Sequence, residues 1–396
     1  MTQMTDLPGA PSRPPFWNDP KIRAVVFQVL VTLGVIAVGV YLVHNLLHNL
    51  AVRGISTGFG FLANRAGFAI NQSLIAYDMS SSYGRTFVVG LLNTLLVSGL
   101  GIVFATILGF IIGIARLSRN WLISKLAAAY IEIFRNIPLL LQILFWYFAV
   151  FLNLPAPSEA LSLGNEVFLT QRGLYLPRPV PESGFDWTVL AFLAALVVSF
   201  FLARWSRRRQ DRTGELFPTF PVSLALLVLL PLCVFMLTGR PLTWVVPTLE
   251  GFNFSGGVSL IPELGALLAA LSIYTAAFIA ETVRAGILSV SHGQTEAASA
   301  LGLKRSWTLR LVIIPQAMRV TIPPLTSQYL NLTKNSSLAT AIGYPDLVSL
   351  FAGTTLNQTG QAVEVMAMTM AVYLTISLVI SLFMNWYNAR MALVER

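Results

Sequence analysis

Residues 87–114 read FVVGLLNTLLVSGLGIVFATILGFIIGI, 28 residues without a single charge. An α-helix rises ~1.5 Å per residue, so this stretch alone is ~42 Å long. About 20 apolar residues suffice to cross a bilayer. The segment therefore specifies a membrane-spanning helix, and the composition around it extends that reading to the whole chain. Of 396 residues, 55% are apolar and 11% charged. An average soluble domain is about 45–50% apolar and about 25% charged. The mean hydropathy of +0.71 points the same way. A water-soluble globule of this length needs more polar surface than the chain supplies, which excludes an ordinary soluble enzyme. The expected fold is an all-α polytopic membrane protein with its charges at span ends and loops.

Eight spans are expected, at 24–46, 87–114, 126–152, 187–203, 219–238, 263–288, 313–341 and 366–386, the fourth being the shortest. A count of seven would put the termini on opposite sides. Loop charge favours eight. With the N-terminus in the cytoplasm, eighteen Lys and Arg fall in inside segments and five outside, as the positive-inside rule requires. The run Arg204–Arg209 reads as a stop-transfer anchor rather than a nucleic-acid contact. Residues 1–20 hold five prolines and form a polar tail without the apolar core of a cleavable signal.

Two outside loops are long. Residues 47–83 mix Leu50, Ile55, Phe59, Phe61, Leu62 and Phe68 with polar residues, and an amphipathic helix lying on the membrane is expected there. The Pro-containing stretch 153–186 is expected to be irregular. The single cysteine, Cys233, excludes an internal disulfide, and His44, His48 and His292 are too scattered for a metal site.

No G-x-x-x-x-G-K-[ST] occurs, nor H-E-x-x-H, nor G-x-S-x-G. The chain carries no recognisable phosphate-cradling loop or catalytic motif of its own, so any energy spent comes from a partner or an ion gradient. The inside loop between the sixth and seventh spans is the most informative stretch. Thr295–Leu301 is alanine-rich and helix-favouring, with Glu296 near the positive N-terminal end. Gly302 is placed to stop that helix, and Ser306 to cap a second, Trp307–Ile314, until Pro315 intervenes. The small face formed by Ala297, Ala298 and Ala300 suits either a groove on another protein or a plain helical hairpin.

The segment Glu296-Ala297-Ala298-x-x-x-Gly302, nine residues, then Val312-x-Ile314-Pro315 resembles the EAA loop of bacterial ATP-binding-cassette (ABC) importer permeases. Val312 and Ile314 stand where that family usually has Ile and Leu. Further segments resemble its polar amino acid subfamily: Gly90–Leu95 (GLLNTL), Glu132–Gln142 (EIFRNIPLLLQ), Pro262-Glu263-Leu264, the run from Tyr274 through Glu281 and Arg284, and Lys334–Leu338 (KNSSL). They cover about 87–390 with an interruption at about 154–260. The long layout is similar to the Q-type permeases of general L-amino acid transport systems.

The resemblance implies a layout: a cytoplasmic tail (1–23), a first span with an external segment (24–86), a permease core in two parts (87–153 and 262–390) around an inserted loop and two extra helices (154–261), and a cytoplasmic EAA loop (290–314). The core would be the five-helix type I importer fold, with three extra helices. It further implies two ATPase subunits docking on Glu296, Ala297, Ala298, Gly302 and Lys304, a second related permease, and a periplasmic amino acid-binding protein. ATP and Mg would sit in the partner ATPases and no cofactor in this chain. The location implied is the bacterial inner membrane, multi-pass, with both termini cytoplasmic.

The seventh span carries Pro323-Pro324 followed by Gln328, Asn331, Lys334, Asn335 and Ser336. A span so polar does not face lipid comfortably, and a lysine within a span costs about 2.5–3.5 kcal/mol on insertion scales. A substrate pathway for L-amino acids lined by these residues, with Thr94 and Gln142, is the functional reading. The bland one pairs Lys334 with a carboxylate such as Glu364 or lets it snorkel; Thr94 and Gln142 would then be ordinary interhelical hydrogen-bonders. Glu132/Arg135 and Glu281/Arg284, each three apart on one helix face, are expected as structural ion pairs. Two other function classes stay open: an ion-coupled secondary transporter, and a subunit that anchors ATPases while its partner permease holds the only substrate site.

Overall fold

The computed structural model describes residues 19–52, 54 and 57–391. Most of the tail expected at 1–23 lies outside the described residues, as do Arg13, Arg53, Ile55 and Arg396.

The helices in chain order are α1 (Pro20–Val52), α2 (Tyr83–Arg116), α3 (Trp121–Asn136), α4 (Leu139–Leu144), α5 (Phe185–Thr213), α6 (Thr219–Leu237), α7 (Pro262–Leu288), α8 (His292–Ala300), α9 (Arg305–Thr308), α10 (Ile314–Asn335), α11 (Leu356–Thr359) and α12 (Ala362–Met391). Six of them, α1, α2, α5, α6, α7 and α12, are long and apolar enough to cross a membrane singly. Helix α10 has the length, 22 residues, but its polar residues keep it out of that apolar set.

The expected straight span at 126–152 is broken. Helix α3 and the segment Leu139–Asn153 meet at 105°. Pro138 causes this: its ring disfavours helix in the preceding residue and it offers no N–H to the ladder. Beyond α4 the backbone widens into a π-turn at Phe145–Val150.

Helix α7 is the centre of the core, with Leu267, Ala270, Leu271, Ala276, Ala277, Ile279 and Ala280 wholly buried. Its neighbours approach on glycines. A Cβ at Gly109 of α2 would lie 2.6 Å from the Ile279 side chain, and one at Gly113 would lie 2.7 Å from the Ala280 carbonyl. Small residues let transmembrane helices close to this distance, where dispersion supplies the attraction that water does not. Helix α10 packs on the far part of α7 in the same way, since a Cβ at Gly286 would collide with Thr321 Oγ1. Helix α12 packs on α10. Helices α5 and α6 form a hairpin tied by Thr219 Oγ1 donating to Ser206 Oγ at 2.7 Å.

The fold is mostly helical, as expected, and carries a small β addition. Residues 161–181 and 242–260 form β-strands: β1 (Leu161–Leu163), β2 (Val167–Thr170), β3 (Gly173–Leu176), β4 (Arg178–Pro181), β5 (Leu242–Val245), β6 (Thr248–Glu250), β7 (Asn253–Ser255) and β8 (Val258–Leu260). One sheet runs β1-β2-β3-β8, and β4–β5 and β6–β7 are two-stranded. All pairs are antiparallel, with Leu174 opposite Leu260 and Leu176 opposite Val258. The stretch expected to be irregular is thus one half of a β-cap, and its other half follows the α5–α6 hairpin. Strand β8 runs straight into Pro262, the first residue of α7. A single rigid helix therefore joins the β-cap to the connection that carries α8.

The external amphipathic helix expected at 47–83 is also absent among the described residues. Helix α1 continues to Val52, and only a five-residue 3-10 turn forms at Phe59–Ala63. Phe61 explains this. It is buried, with its ring 6.3 Å from Tyr83 and 6.1 Å from Phe351. The segment folds down onto the core instead of lying on a lipid surface.

Candidate functional site

Two surfaces bear on function: one face of α10 with its surroundings, and the α8–α9 connection.

Beyond Ile314 at its start, the exposed positions of α10 are Val320, Pro323, Pro324, Ser327, Asn331 and Lys334. They recur at helical spacing and form one stripe. Its first half is apolar and its second half polar, with Gln328 and Asn335 half-buried at the edge. Among the described residues Lys334 makes no ion pair. Glu364, the carboxylate weighed for it, instead accepts the Gly58 N–H. The stripe is therefore an uncompensated polar and cationic face on a helix of membrane-spanning length.

The other pathway candidates sit elsewhere. Thr94 is wholly buried, and its Oγ1 accepts the Leu347 N–H at 3.0 Å. Ser336 is wholly buried and donates to the Thr333 carbonyl at 2.7 Å. Gln142 is buried, and its Nε2 donates to the carbonyls of Phe134 and Ile137, both at 3.0 Å. Phe134 is four residues before Pro138, so its carbonyl lacks a helical donor and Gln142 supplies one. All three are buried and spent on backbone ties in this structure, and none lies on the exposed face of α10.

Sequence reasoning also passed over Asn93, whose Nδ2 donates to the carbonyls of Gln72 (3.0 Å) and Pro345 (2.8 Å), while its own carbonyl accepts the Tyr344 hydroxyl. At Gly90 a Cβ would lie 2.9 Å from Leu347 Cα. Together with Thr94 these residues fasten the turn at 344–347 to the first third of α2. Two adjacent polar residues in an otherwise apolar span were the available signal.

Between α3, α7 and α10 lies a groove of about 290 Å³, whose walls include Arg135, Phe278, Glu281, Thr282, Val320 and Gln328. Glu281 and Arg284 form a two-point pair, with Arg284 Nε donating at 2.9 Å and a terminal nitrogen at 2.6 Å. Glu132 and Arg135 do not pair. The Arg135 guanidinium turns across to α7 and lies over the Phe278 ring, 5.1 Å from its centre. Arg135 is exposed, and a cation over an aromatic face at such a site gains roughly 0.5–1 kcal/mol; Glu281 lies within reach of its field.

The α8 end is built as a projecting element. Gly302 has φ +74°, and two hydrogen bonds close the helix: Leu303 N–H to the Ala298 carbonyl at 3.1 Å and Gly302 N–H to that of Ser299 at 2.9 Å. This pair defines a Schellman stop, which needs a left-handed residue at that position. Ala298 is buried on the side of α8 that packs on α9 and the following π-turn, whereas Glu296, Ala297, Gly302 and Lys304 are exposed. Leu301 is 80% exposed, an apolar tip at the end of a solvated helix. Glu296 is held by His292 Nδ1 at 3.0 Å.

The second helix differs from expectation. It begins at Arg305, with Lys304 at the cap position instead of Ser306. It does not end at Pro315 either. A π-turn at Leu309–Ile313 absorbs the ring and the missing donor, and the chain continues as α10.

The sequence profile of the binding-protein-dependent transport system inner membrane components matches residues 195–393, half of the chain. The chain belongs to this family. Its relatives within the family extend over nearly the full length. The Escherichia coli (strain K12) protein YhdX, designated an amino-acid ABC transporter permease, is 60% identical over 96% of both chains. The general L-amino acid transport system permease AapQ of Rhizobium johnstonii is 53% identical over 96% of this chain and 94% of its own. The glutamate/glutamine/aspartate/asparagine transport system permease BztB of Rhodobacter capsulatus is 44% identical over 96% of each. As a multi-pass inner membrane component of this family, the chain is a transporter subunit.

Proposed function

We propose that the chain is the permease subunit of an ABC importer for polar and general L-amino acids. The observation that carries this is the exposed stripe of α10. Gln328, Asn331, Lys334 and Asn335 gather on one side of a helix of spanning length, and lipid is a poor neighbour for them. A second, related permease facing this stripe encloses it as a pathway, which a single permease does not form. The relatives named above support amino acids as cargo.

The α8 element supports ATPase docking. It is short, rigidly stopped and exposed, and it is joined through α7 to the β-cap. Closure of two partner ATPases, which hold ATP and Mg, displaces α8 and re-packs α7 and α10, so that the pathway opens alternately to each side. The β-cap lies at the opposite end of α7, where a periplasmic binding protein delivers cargo. In this reading both termini are cytoplasmic.

The test is uptake of labelled L-amino acids into liposomes containing the whole assembly. Lys334→Ala and Asn331→Ala are expected to cut uptake at least tenfold with ATPase co-purification intact. Unchanged uptake in both variants would move the substrate site to the partner permease and refute the pathway role of this stripe.

A further inference from the structure

We infer that the groove between α3, α7 and α10 is a cargo station that reads the charged end common to all α-amino acids, with the carboxylate on Arg135 and the ammonium on Glu281. The inference rests on the importer reading above.

The groove adjoins the proposed pathway at Gln328, one helical turn along the α10 stripe from Asn331. Its volume of about 290 Å³ is at the small end of ligand sites, which run about 300–1,000 Å³. That suits a free amino acid better than a peptide or nucleotide.

Its two charged groups are prepared differently. The Arg135 guanidinium carbon lies 5.1 Å from the centre of the Phe278 ring, and among the described residues the group makes no ion pair. Its N–H donors are uncommitted, and a guanidinium fork matches a carboxylate in two-point fashion. Glu281 is fixed by Arg284, which uses one lone-pair position on each carboxylate oxygen. A carboxylate offers about four such positions, so about two remain to accept N–H bonds. The clamp aims Glu281 and leaves it acceptor positions for an ammonium. Arg135 has no ion pair of its own among the described residues, and it selects for a carboxylate.

The rest of the wall reads little. The Thr282 hydroxyl is spent on the Phe278 carbonyl at 3.0 Å. Val320, Pro324 and Ala285 offer only apolar contact, and the remaining polar side chain of the wall is Gln328. A site that holds the shared zwitterion and leaves the side chain to a plain wall accepts many amino acids. Breadth of cargo is thus a property of the groove.

The experiment uses the complete assembly of this chain with its partner permease and ATPases in nanodiscs, without nucleotide or binding protein. Equilibrium binding of tritiated L-glutamine is measured, with L-alanine, ethylamine and propionate as competitors. Alanine is expected to displace the label, while ethylamine and propionate, each lacking one charge, are not. Arg135→Gln is expected to weaken binding roughly tenfold or more, and Arg135→Lys, which keeps the charge but not the two-point fork, to recover only part of it. Equal binding by Arg135→Gln and wild type, displacement by ethylamine as strong as by alanine, or no saturable binding would overturn the inference. ATPase co-purification, scored on the same preparations, separates the two readings. Its loss in wild type refutes the importer assignment, whereas its presence with an indifferent Arg135→Gln refutes the groove alone.

Discussion

The Gln142 side chain holds the 105° break in the permease core, and removing its donor has a calculable cost. Pro138 leaves the Phe134 carbonyl without a helical partner. The Gln142 amide donates to that carbonyl and to Ile137's, at 3.0 Å each, from a side chain only 4% exposed. Gln142→Leu keeps the approximate shape and deletes both bonds. An orphaned buried acceptor costs about 1–3 kcal/mol. Ile137 is 39% exposed and its carbonyl regains some solvation, so the total expected is about 2–3 kcal/mol. Gln142→Glu behaves differently. Only its protonated form donates, so its penalty grows as pH rises and its proton is lost, whereas the leucine variant has no such dependence. Thermal unfolding of the purified assembly at pH 6 and pH 8 measures both. A leucine variant within about 0.5 kcal/mol of wild type, the scatter of neutral surface changes, would refute the staple. So would a glutamate variant that is equally stable at the two pH values.

Gly286→Ala places a Cβ on Thr321 Oγ1 and 3.0 Å from the Ala317 carbonyl, and overpacking of this kind costs about 1–3 kcal/mol. Adding Thr321→Ala removes the worse of the two overlaps, so the double variant is expected to melt above the single one; no recovery would argue against close α7–α10 packing. Gly302→Val puts a β-branched residue at φ +74° and is expected to cost at least ~1–2 kcal/mol locally, read as faster hydrogen exchange over 292–303 with the spans unchanged. Gly173→Ala drives a Cβ to 2.3 Å from the Leu260 carbonyl and is expected to remove exchange protection from 258–260, while α2 and α7 keep theirs.

The spans were legible because uncharged runs such as 87–114 have few other fates. The α10 stripe was legible for the converse reason, since Pro323-Pro324 and the polar run behind them contradict a lipid-facing helix. The break at Pro138 was overlooked although the residue announces it. Hydrophobicity averaged across the break hides a bend that a single ring produces. The β-cap was harder to see. Its strands are three or four residues long, and β3 pairs with β8 across the whole α5–α6 hairpin, a contact that local pattern does not encode. Phe61 looked like one member of an interfacial face because its partners, Tyr83 and Phe351, are distant in sequence. Within the candidate site, the exposed positions Asn331 and Lys334 could be read from the sequence. Thr94, Gln142 and Ser336 could not be told from them, because a hydroxyl or amide in a span has the same spelling whether it faces a cavity or ties a backbone. The absent Glu132–Arg135 pair makes a related point: spacing of three permits the contact, but the Phe278 ring on the neighbouring helix takes the cation instead.

The central claim is that α8 couples this permease to ATPases, and its most direct test is ATPase co-purification and activity of the assembly in nanodiscs with loaded binding protein. Wild type is compared with Glu296→Lys, which reverses an exposed charge without touching the core, and with Gly302→Asp, which strains the helix stop. The account predicts that wild type retains the ATPases and is stimulated by the loaded binding protein, and that both variants lose retention or stimulation while the membrane domain melts as before. Full retention and stimulation in both variants would contradict it.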